Sequence, residues 1–172
     1  MNQWLDTKPE RIEQLSIDRE TIKKAYNDCI VAMMTLNKNA AELMNKHGAH
    51  GATDVTGFGI LGHAQNLAEC QINEVDFELT SLPFLQHMVK ADKEAGNVFK
   101  VTNGYAAETS GGLLLTLPAD KVTIFREELK QLDGHDSWIV GRVVKGTRNA
   151  RLVDNLKLVE VACDENDKLI TV

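Results

Sequence analysis

The sequence predicts an α/β fold of the α+β type, a mixed β-sheet covered by helices. Three observations carry that expectation. Apolar residues at helical spacing alternate with strand-like apolar runs along most of the 172 residues. Near the C-terminal end, three strand-like runs follow one another through short turns, which asks for antiparallel pairs in the sheet. Hydrophobic residues make up 43% and charged residues 26%, the balance of a folded chain. The length suffices for one core.

The elements follow in order. Residues 1–17 read as a linker or arm, largely polar and without a clear period. Ser16 or Asp18 can cap a helix whose stripe is Ile22, Ala25, Tyr26, Cys29, Ile30, Met33 and Leu36. Asn39 can cap a second, short helix through Ala40, Leu43 and Met44, stopped by Gly48. A glycine-rich segment spans 48–62, and residues 60–70 return to helical spacing. Val75–Leu79 alternates strictly, as a strand with one wet face does. Ser81 and Pro83 then read as the opening of a helix through Leu85, Met88, Val89 and Ala95, closed by Gly96. Residues 97–112 form a long loop.

Leu113–Leu117 is a continuous apolar run ended by Pro118, expected as a strand buried on both faces. Val122, Phe125, Leu129 and Leu132 mark an amphipathic helix closed by Asp133-Gly134. Trp138–Val144, Ala150–Val153 and Leu156–Val161 read as three strands. Residues 163–172 read as a polar tail that frays. One domain over 18–162 is the resulting expectation.

Composition excludes several function classes. The net charge is −6, so there is no cation excess to release counterions from nucleic acid or to hold an anionic membrane. No apolar run reaches the ~20 residues of a membrane span. Residues 1–20 are too charged for a secretory signal, which makes the expected location cytoplasmic. Cys29, Cys70 and Cys163 are odd in number and far apart, with no CxxC pair, so neither a disulfide framework nor a zinc ribbon is expected.

The charge is unevenly spread, and that points to chemistry. Between Lys46 and Lys90 lie 43 residues without a Lys or Arg. The stretch holds Asp54, Glu69, Glu74, Asp76 and Glu78, together with His47, His50, His63 and His87. Within it, residues 52–63 are dense in glycine and carry a single acid, Asp54. Glycines ahead of a helix let a backbone approach something closely, and helix amides favour anions. A carboxylate beside a phosphate is repulsive unless a divalent cation lies between them, and Mg²⁺ commonly takes one or two carboxylates plus phosphate oxygens. One reading is therefore a metal–phosphate site with Asp54 as ligand and Thr53 or Thr56 in support. The other is that Asp54 caps the next helix and the glycines serve packing. Both stay open on the residues alone.

Two competing motifs are present. Gly57-Phe58-Gly59-Ile60-Leu61-Gly62 matches the dinucleotide-binding G-x-G-x-x-G, with Glu78 sixteen residues beyond Gly62. Against it, His50–Val55 is polar and reads as flexible, where that motif needs a buried strand. His47, His50, His63 and Asp54 are close enough in sequence to suggest zinc, but no helix fixes their spacing. Supporting or surface positions suit these histidines better. The loop Glu108–Gly112 runs straight into Leu113, where it either touches a ligand or shapes the start of the strand.

Residues 52–64, from Ala52-Thr53-Asp54-Val55-Thr56-Gly57 to Gly62-His63-Ala64, resemble the signature of selenophosphate synthetase (selenide, water dikinase). Three more stretches fit the same family in order: Leu36–Ala41, Glu108–Leu114 and Trp138–Gly141. The likeness runs from about residue 18 to 161 and is closest to eukaryotic-type members, judged from Gly62–Ala68.

The resemblance implies the fold of the C-terminal domain in the aminoimidazole ribonucleotide synthetase-like superfamily. It implies that this chain is the C-terminal half of an enzyme whose N-terminal ATP-binding half carries the catalytic Cys or selenocysteine, so no catalytic residue is expected here. It assigns Asp54 to metal binding and places Thr53, Thr56 and Gly57 near phosphate or substrate. The implied reaction turns ATP, selenide and water into selenophosphate, AMP and phosphate, with Mg²⁺ as cofactor and a homodimer as the assembly. A piece of this kind is expected to be inactive alone. A non-catalytic regulatory relative of the family and a dinucleotide-binding module are the alternatives.

Overall fold

The computed structural model describes residue 10 and residues 13–172. Most of the expected arm lies outside them. Its last part does not behave as an arm, because Leu15 and Ile17 are buried in a small core with Ile22 and Ala91, packed against Met88.

Helix α1 (Arg19–Met34) starts where Asp18 accepts hydrogen bonds from the N–H groups of Glu20 and Thr21, at 3.0 and 2.9 Å. Ile22 and Ala25 are its buried apolar residues. The predicted stripe holds to the half-buried Met33, but its last member, Leu36, lies beyond the helix and is exposed. Helix α2 (Lys38–Lys46) begins after Asn37, so Asn39 is not its cap. Asn39 donates to the Asp133 carboxylate instead, and Asn37 donates to the Gly111 carbonyl. Gly48 closes this region at φ +68°.

Strand β1 (Gly51–Asp54) follows, where the sequence suggested a flexible segment. It pairs antiparallel with β3 (Leu113–Thr116), Gly51 facing Thr116 and Asp54 facing Leu113. The partner lies some sixty residues away, so no local pattern announces the strand. In β3 only Leu114 is buried, and Leu113, Leu115 and Thr116 are half-buried, so the run is not covered on both faces.

Helix α3 (Gly59–Glu69) and strand β2 (Val75–Leu85) come next. Strand β2 runs through Pro83 instead of giving way to a helix at Ser81. Strand β4 (Gly141–Lys145) covers one side of β2 only along Val75–Leu79. Beyond that point β2 is an edge, where a residue without an N–H costs no ladder bond. Helix α4 (Met88–Glu94) is correspondingly short. Helix α5 (Val122–Asp133) ends as expected at Gly134, φ +76°.

Ala150–Cys163 forms one long strand, β5, where the sequence suggested two. Leu79 faces Leu152 but Ser81 faces Lys157, so the surplus residues of β5 form a bulge. The C-terminal stretch does not simply fray, since β6 (Leu169–Thr171) pairs with Val161–Cys163.

The larger sheet has the order β4-β2-β5-β6, with β2 and β5 parallel and the other pairs antiparallel. A mixed sheet with helices is the α+β arrangement expected. The main core joins α3 to both sheets through Val55, Ala64, Ala68, Phe77, Leu79, Leu82 and Leu114. It thereby fixes the end of β1 and the start of α3 to one apolar mass. No helix among the described residues is long and apolar enough to cross a membrane.

Candidate functional site

Asp54 is the last residue of β1, and its residue surface is exposed. Among the described residues its carboxylate meets no hydrogen-bond donor and no cation. The Thr53 hydroxyl turns away from it, donating to the Asp54 main-chain carbonyl at 3.1 Å.

The chain after Asp54 is tightly held. The Val55 N–H donates to the Gly112 carbonyl at 3.0 Å. The Thr56 carbonyl accepts from the N–H groups of Gly59 and Glu108, at 3.0 and 3.1 Å. The Thr56 N–H donates to His63 Nε2 at 2.9 Å, and the Thr56 hydroxyl oxygen lies 3.0 Å from the same nitrogen. His63 stands buried on α3, with the Phe58 ring 5.5 Å away.

The glycines of this turn differ in what they do. Gly59 has φ +70°, and a Cβ there would lie 2.6 Å from the Gly104 carbonyl oxygen and from the Tyr105 Cα. A Cβ on Gly62 would lie 2.8 Å from the Phe58 Cβ. A Cβ on Gly57 would meet nothing within 4 Å. The start of α3 is also less bare than the sequence suggested. Its Leu61 N–H donates to the Gly104 carbonyl at 2.9 Å, and the Gly59 N–H is taken by Thr56.

The 108–112 loop supports this turn. Gly111 sits so close to the Val55 carbonyl that any Cβ would overlap it. Asn37 donates to the Gly111 carbonyl at 3.0 Å, and the Ser110 hydroxyl donates to the Met33 carbonyl at 3.0 Å. The paired glycines were the sequence signal for that approach. Nearby atoms push the Glu108 carboxyl up by desolvation, although the residue as a whole keeps an exposed surface.

The cysteines carry no sign of activation. Burial, and then the charge of Glu108, pushes the Cys29 thiol up. Cys163 is pushed up to about 11, first by burial and then by Asp28. Both shifts suppress the thiolate.

The competing motifs do not form sites. Strands β1 and β2 lie in different sheets, so residues 51–85 are not a parallel strand–helix–strand unit and the G-x-G-x-x-G lacks its dinucleotide setting. Glu78 is tied to Arg142 and Arg151. Of the zinc candidates, His47 contacts Glu128 at 2.9 Å and His63 is taken by Thr56. Among the described residues no three His, Cys, Asp or Glu side chains gather to hold a metal. The 43-residue gap in Lys and Arg is also partly filled in space, because β4 and β5 bring Arg142 and Arg151 to its acids.

The candidates Thr53, Asp54, Thr56 and Gly57 lie together on the end of β1 and the turn after it, where the sequence suggested a flexible, glycine-rich segment. Sequence reasoning did not find the bond between His63 and Thr56. Thr56 lies in the turn before α3, outside any regular element, so no helical or strand period announces its contact with His63.

Known proteins are similar to this sequence. The human protein "Selenide, water dikinase 2" is 46% identical over 165 residues, covering 93% of this chain and 36% of that protein. "Selenide, water dikinase" from Trypanosoma brucei brucei is 45% identical over 178 residues, 99% of this chain and 45% of that protein. The Dictyostelium discoideum protein of that name is 37% identical over 174 residues, 96% of this chain and 48% of that protein. The chain therefore spans less than half the length of each of these relatives. Residues 13–154 match the family described as "AIR synthase related protein, C-terminal domain". With most of its length inside that match, and a mixed sheet and helices to go with it, the chain belongs to the AIR synthase related protein family as its C-terminal domain.

Proposed function

We propose that this chain is the C-terminal part of a selenide, water dikinase, an enzyme that makes selenophosphate from selenide, ATP and water and releases AMP and phosphate. The observation that carries the proposal is the Asp54 carboxylate, left open among the described residues at the end of a strand whose next two residues are held by the fold. Relatives bearing the enzyme's name over nearly the whole chain support it.

The donor set suits Mg²⁺ in part. One free carboxylate is a normal contribution to an ion that takes its remaining ligands from phosphates, water and other carboxylates. Asp54 would hold Mg²⁺ bound to ATP phosphates, and the ion would offset the charge that gathers on the transferred phosphoryl groups. The open face of Gly57 leaves room for a phosphate to approach the backbone. Thr53 lies beside Asp54, and Thr56 supports the turn through His63. The nucleophile and most of the metal ligands belong to an N-terminal ATP-binding half, the assembly is a homodimer, and the location is cytoplasmic.

Asp54→Asn in the full-length protein is expected to lower Mg²⁺-dependent release of AMP from ATP by about 100-fold, as loss of a preorganised charge contact does. The exposed position leaves the thermal midpoint unchanged. Wild-type turnover by that variant removes Asp54 from the site. The 172-residue chain alone is expected to release no AMP.

A further inference from the structure

We propose that His63 is a positioning residue for the Asp54 carboxylate, acting as a neutral imidazole with its proton on Nδ1. The proposal rests on the reading of Asp54 given above.

The tautomer follows from geometry. The Thr56 N–H points at Nε2 over 2.9 Å, so that nitrogen must offer a lone pair. A proton on Nε2 could go to the Thr56 hydroxyl oxygen, but it would face the amide hydrogen and leave the Thr56 N–H without its acceptor. The Thr56 hydroxyl lies 3.0 Å from the same atom, so Thr56 meets the ring through its backbone and its side chain together.

The position follows from what else holds the turn. The other hydrogen bonds at Val55 and Thr56 among the described residues are main-chain bonds: Val55 donates to Gly112, and Thr56 accepts from Glu108 and from Gly59, the first residue of α3. Among the described residues, His63 is the one that reaches the turn with a side chain, and it is mounted on the core, since its neighbour Ala64 on α3 is fully buried. Phe58 packs against the ring, and Gly62 lets Phe58 lie close to the helix. Thr56 is two residues from Asp54. Fixing Thr56 to α3 therefore sets the direction in which β1 presents the carboxylate. Groups of this kind behind a metal ligand typically change metal affinity or activity by about 10- to 100-fold when removed.

The test uses the full-length protein and four measurements. In wild type with ¹⁵N-labelled histidine, His63 Nε2 is expected to resonate as an unprotonated nitrogen at neutral pH. By hydrogen exchange, segment 55–58 of His63→Leu is expected to open about tenfold faster than wild type. The Mg²⁺ concentration for half-maximal turnover rises about 10- to 100-fold in the same variant. His63→Gln, whose amide oxygen can accept the Thr56 N–H, is expected to restore most of both effects. A proton found on Nε2 overturns the proposal, as does a failure of His63→Gln to protect segment 55–58. These two arms decide the matter even if His63→Leu does not fold. An unchanged Mg²⁺ requirement in folded His63→Leu, where Asp54→Asn is inactive, overturns the role of His63 alone. Full activity in Asp54→Asn overturns the reading of the site on which the proposal stands.

Discussion

Asp54 and Asp76 lie in the same cation-poor stretch, both on strands, and the fold treats them in opposite ways. Asp76 is 8% exposed. Its carboxylate accepts from the N–H groups of Thr147 and Asn149 and from the Arg151 guanidinium, at 2.7, 2.9 and 2.8 Å. Gly146 leaves it space, because a Cβ there would overlap the carboxyl group. Asp54 is exposed and meets none of these things among the described residues, while its backbone is held as firmly. A buried carboxylate that accepts three hydrogen bonds from another strand and its turn ties the sheet together and has little left for a ligand. A carboxylate left open on a fixed backbone is able to bind an ion without waiting for a loop to order.

The glycines of the turn after Asp54 offer the largest effect. Gly59→Ala must place a Cβ at φ +70° and 2.6 Å from backbone atoms of Gly104 and Tyr105. Left-handed strain and overpacking together cost about 2–5 kcal/mol. Thermal unfolding of the chain is expected to show that loss as a clearly lower midpoint. Gly57→Ala should change stability by no more than about 0.5 kcal/mol, because its Cβ position is open. In the full-length protein Gly57→Ala is nevertheless expected to raise the KM for ATP, since the proposed site uses that open space for a phosphate. If Gly57→Ala destabilises as much as Gly59→Ala, the turn is built for packing alone and the contrast with Asp76 collapses.

Acid separates the two aspartates next. Hydrogen bonds from Asn149 and Thr147, followed by Arg151, hold the Asp76 carboxyl below the ordinary carboxylate range. A depressed folded-state value stabilises the protein above the unfolded value of about 3.9 and is lost as the pH falls through the folded value. Asp76→Asn is therefore expected to lower stability at neutral pH and to flatten the loss of stability below about pH 4. Asp54→Asn, which removes no hydrogen bond or ion pair among the described residues, should leave the urea midpoint at neutral pH where it is. Urea midpoints of the two variants at neutral pH, and of Asp76→Asn through the acid range, check this. A lower neutral midpoint in Asp54→Asn would mean that its side chain is engaged in the fold after all.

Much of this arrangement was legible where the signal was local. Asp18 announced its helix, and Gly134 announced the end of another. Asp54 stood out because an acid among glycines without a cation has few uses. Pro83 was misread because its tolerance depends on β4 stopping at the level of Leu79, which β2 itself does not encode. Asp154 and Asn155 looked like a turn because a bulge uses the same polar residues as a loop. The strand at Gly51–Asp54 and the roles of His63 and Gly111 depend on partners reached only after folding. Local pattern thus found the residue that faces outward. The residues holding it in place were visible only in three dimensions.

The smallest predicted effect lies in a third pH region and checks that the acid result belongs to Asp76. His135 Nδ1 accepts the Leu169 N–H at 3.0 Å, which joins the end of α5 to β6. Burial, and then Lys168, holds this histidine below its ordinary value, against the opposing pull of Asp133 and Asp164. The folded state therefore favours the neutral ring. Its contribution is complete above the unfolded value of about 6.5 and is lost as the pH falls from there toward the folded value. The effect is small because the ring is only partly buried. His135→Asn offers an amide oxygen in place of Nδ1 and carries no titrating group, so it should flatten the slope of stability just below about pH 6.5 and leave the slope below pH 4 untouched. Asp76→Asn should do the reverse. If both variants flatten the same region, acid loosens the two ends of the sheet together, and the slope below pH 4 ceases to measure what Asp76 holds and Asp54 does not.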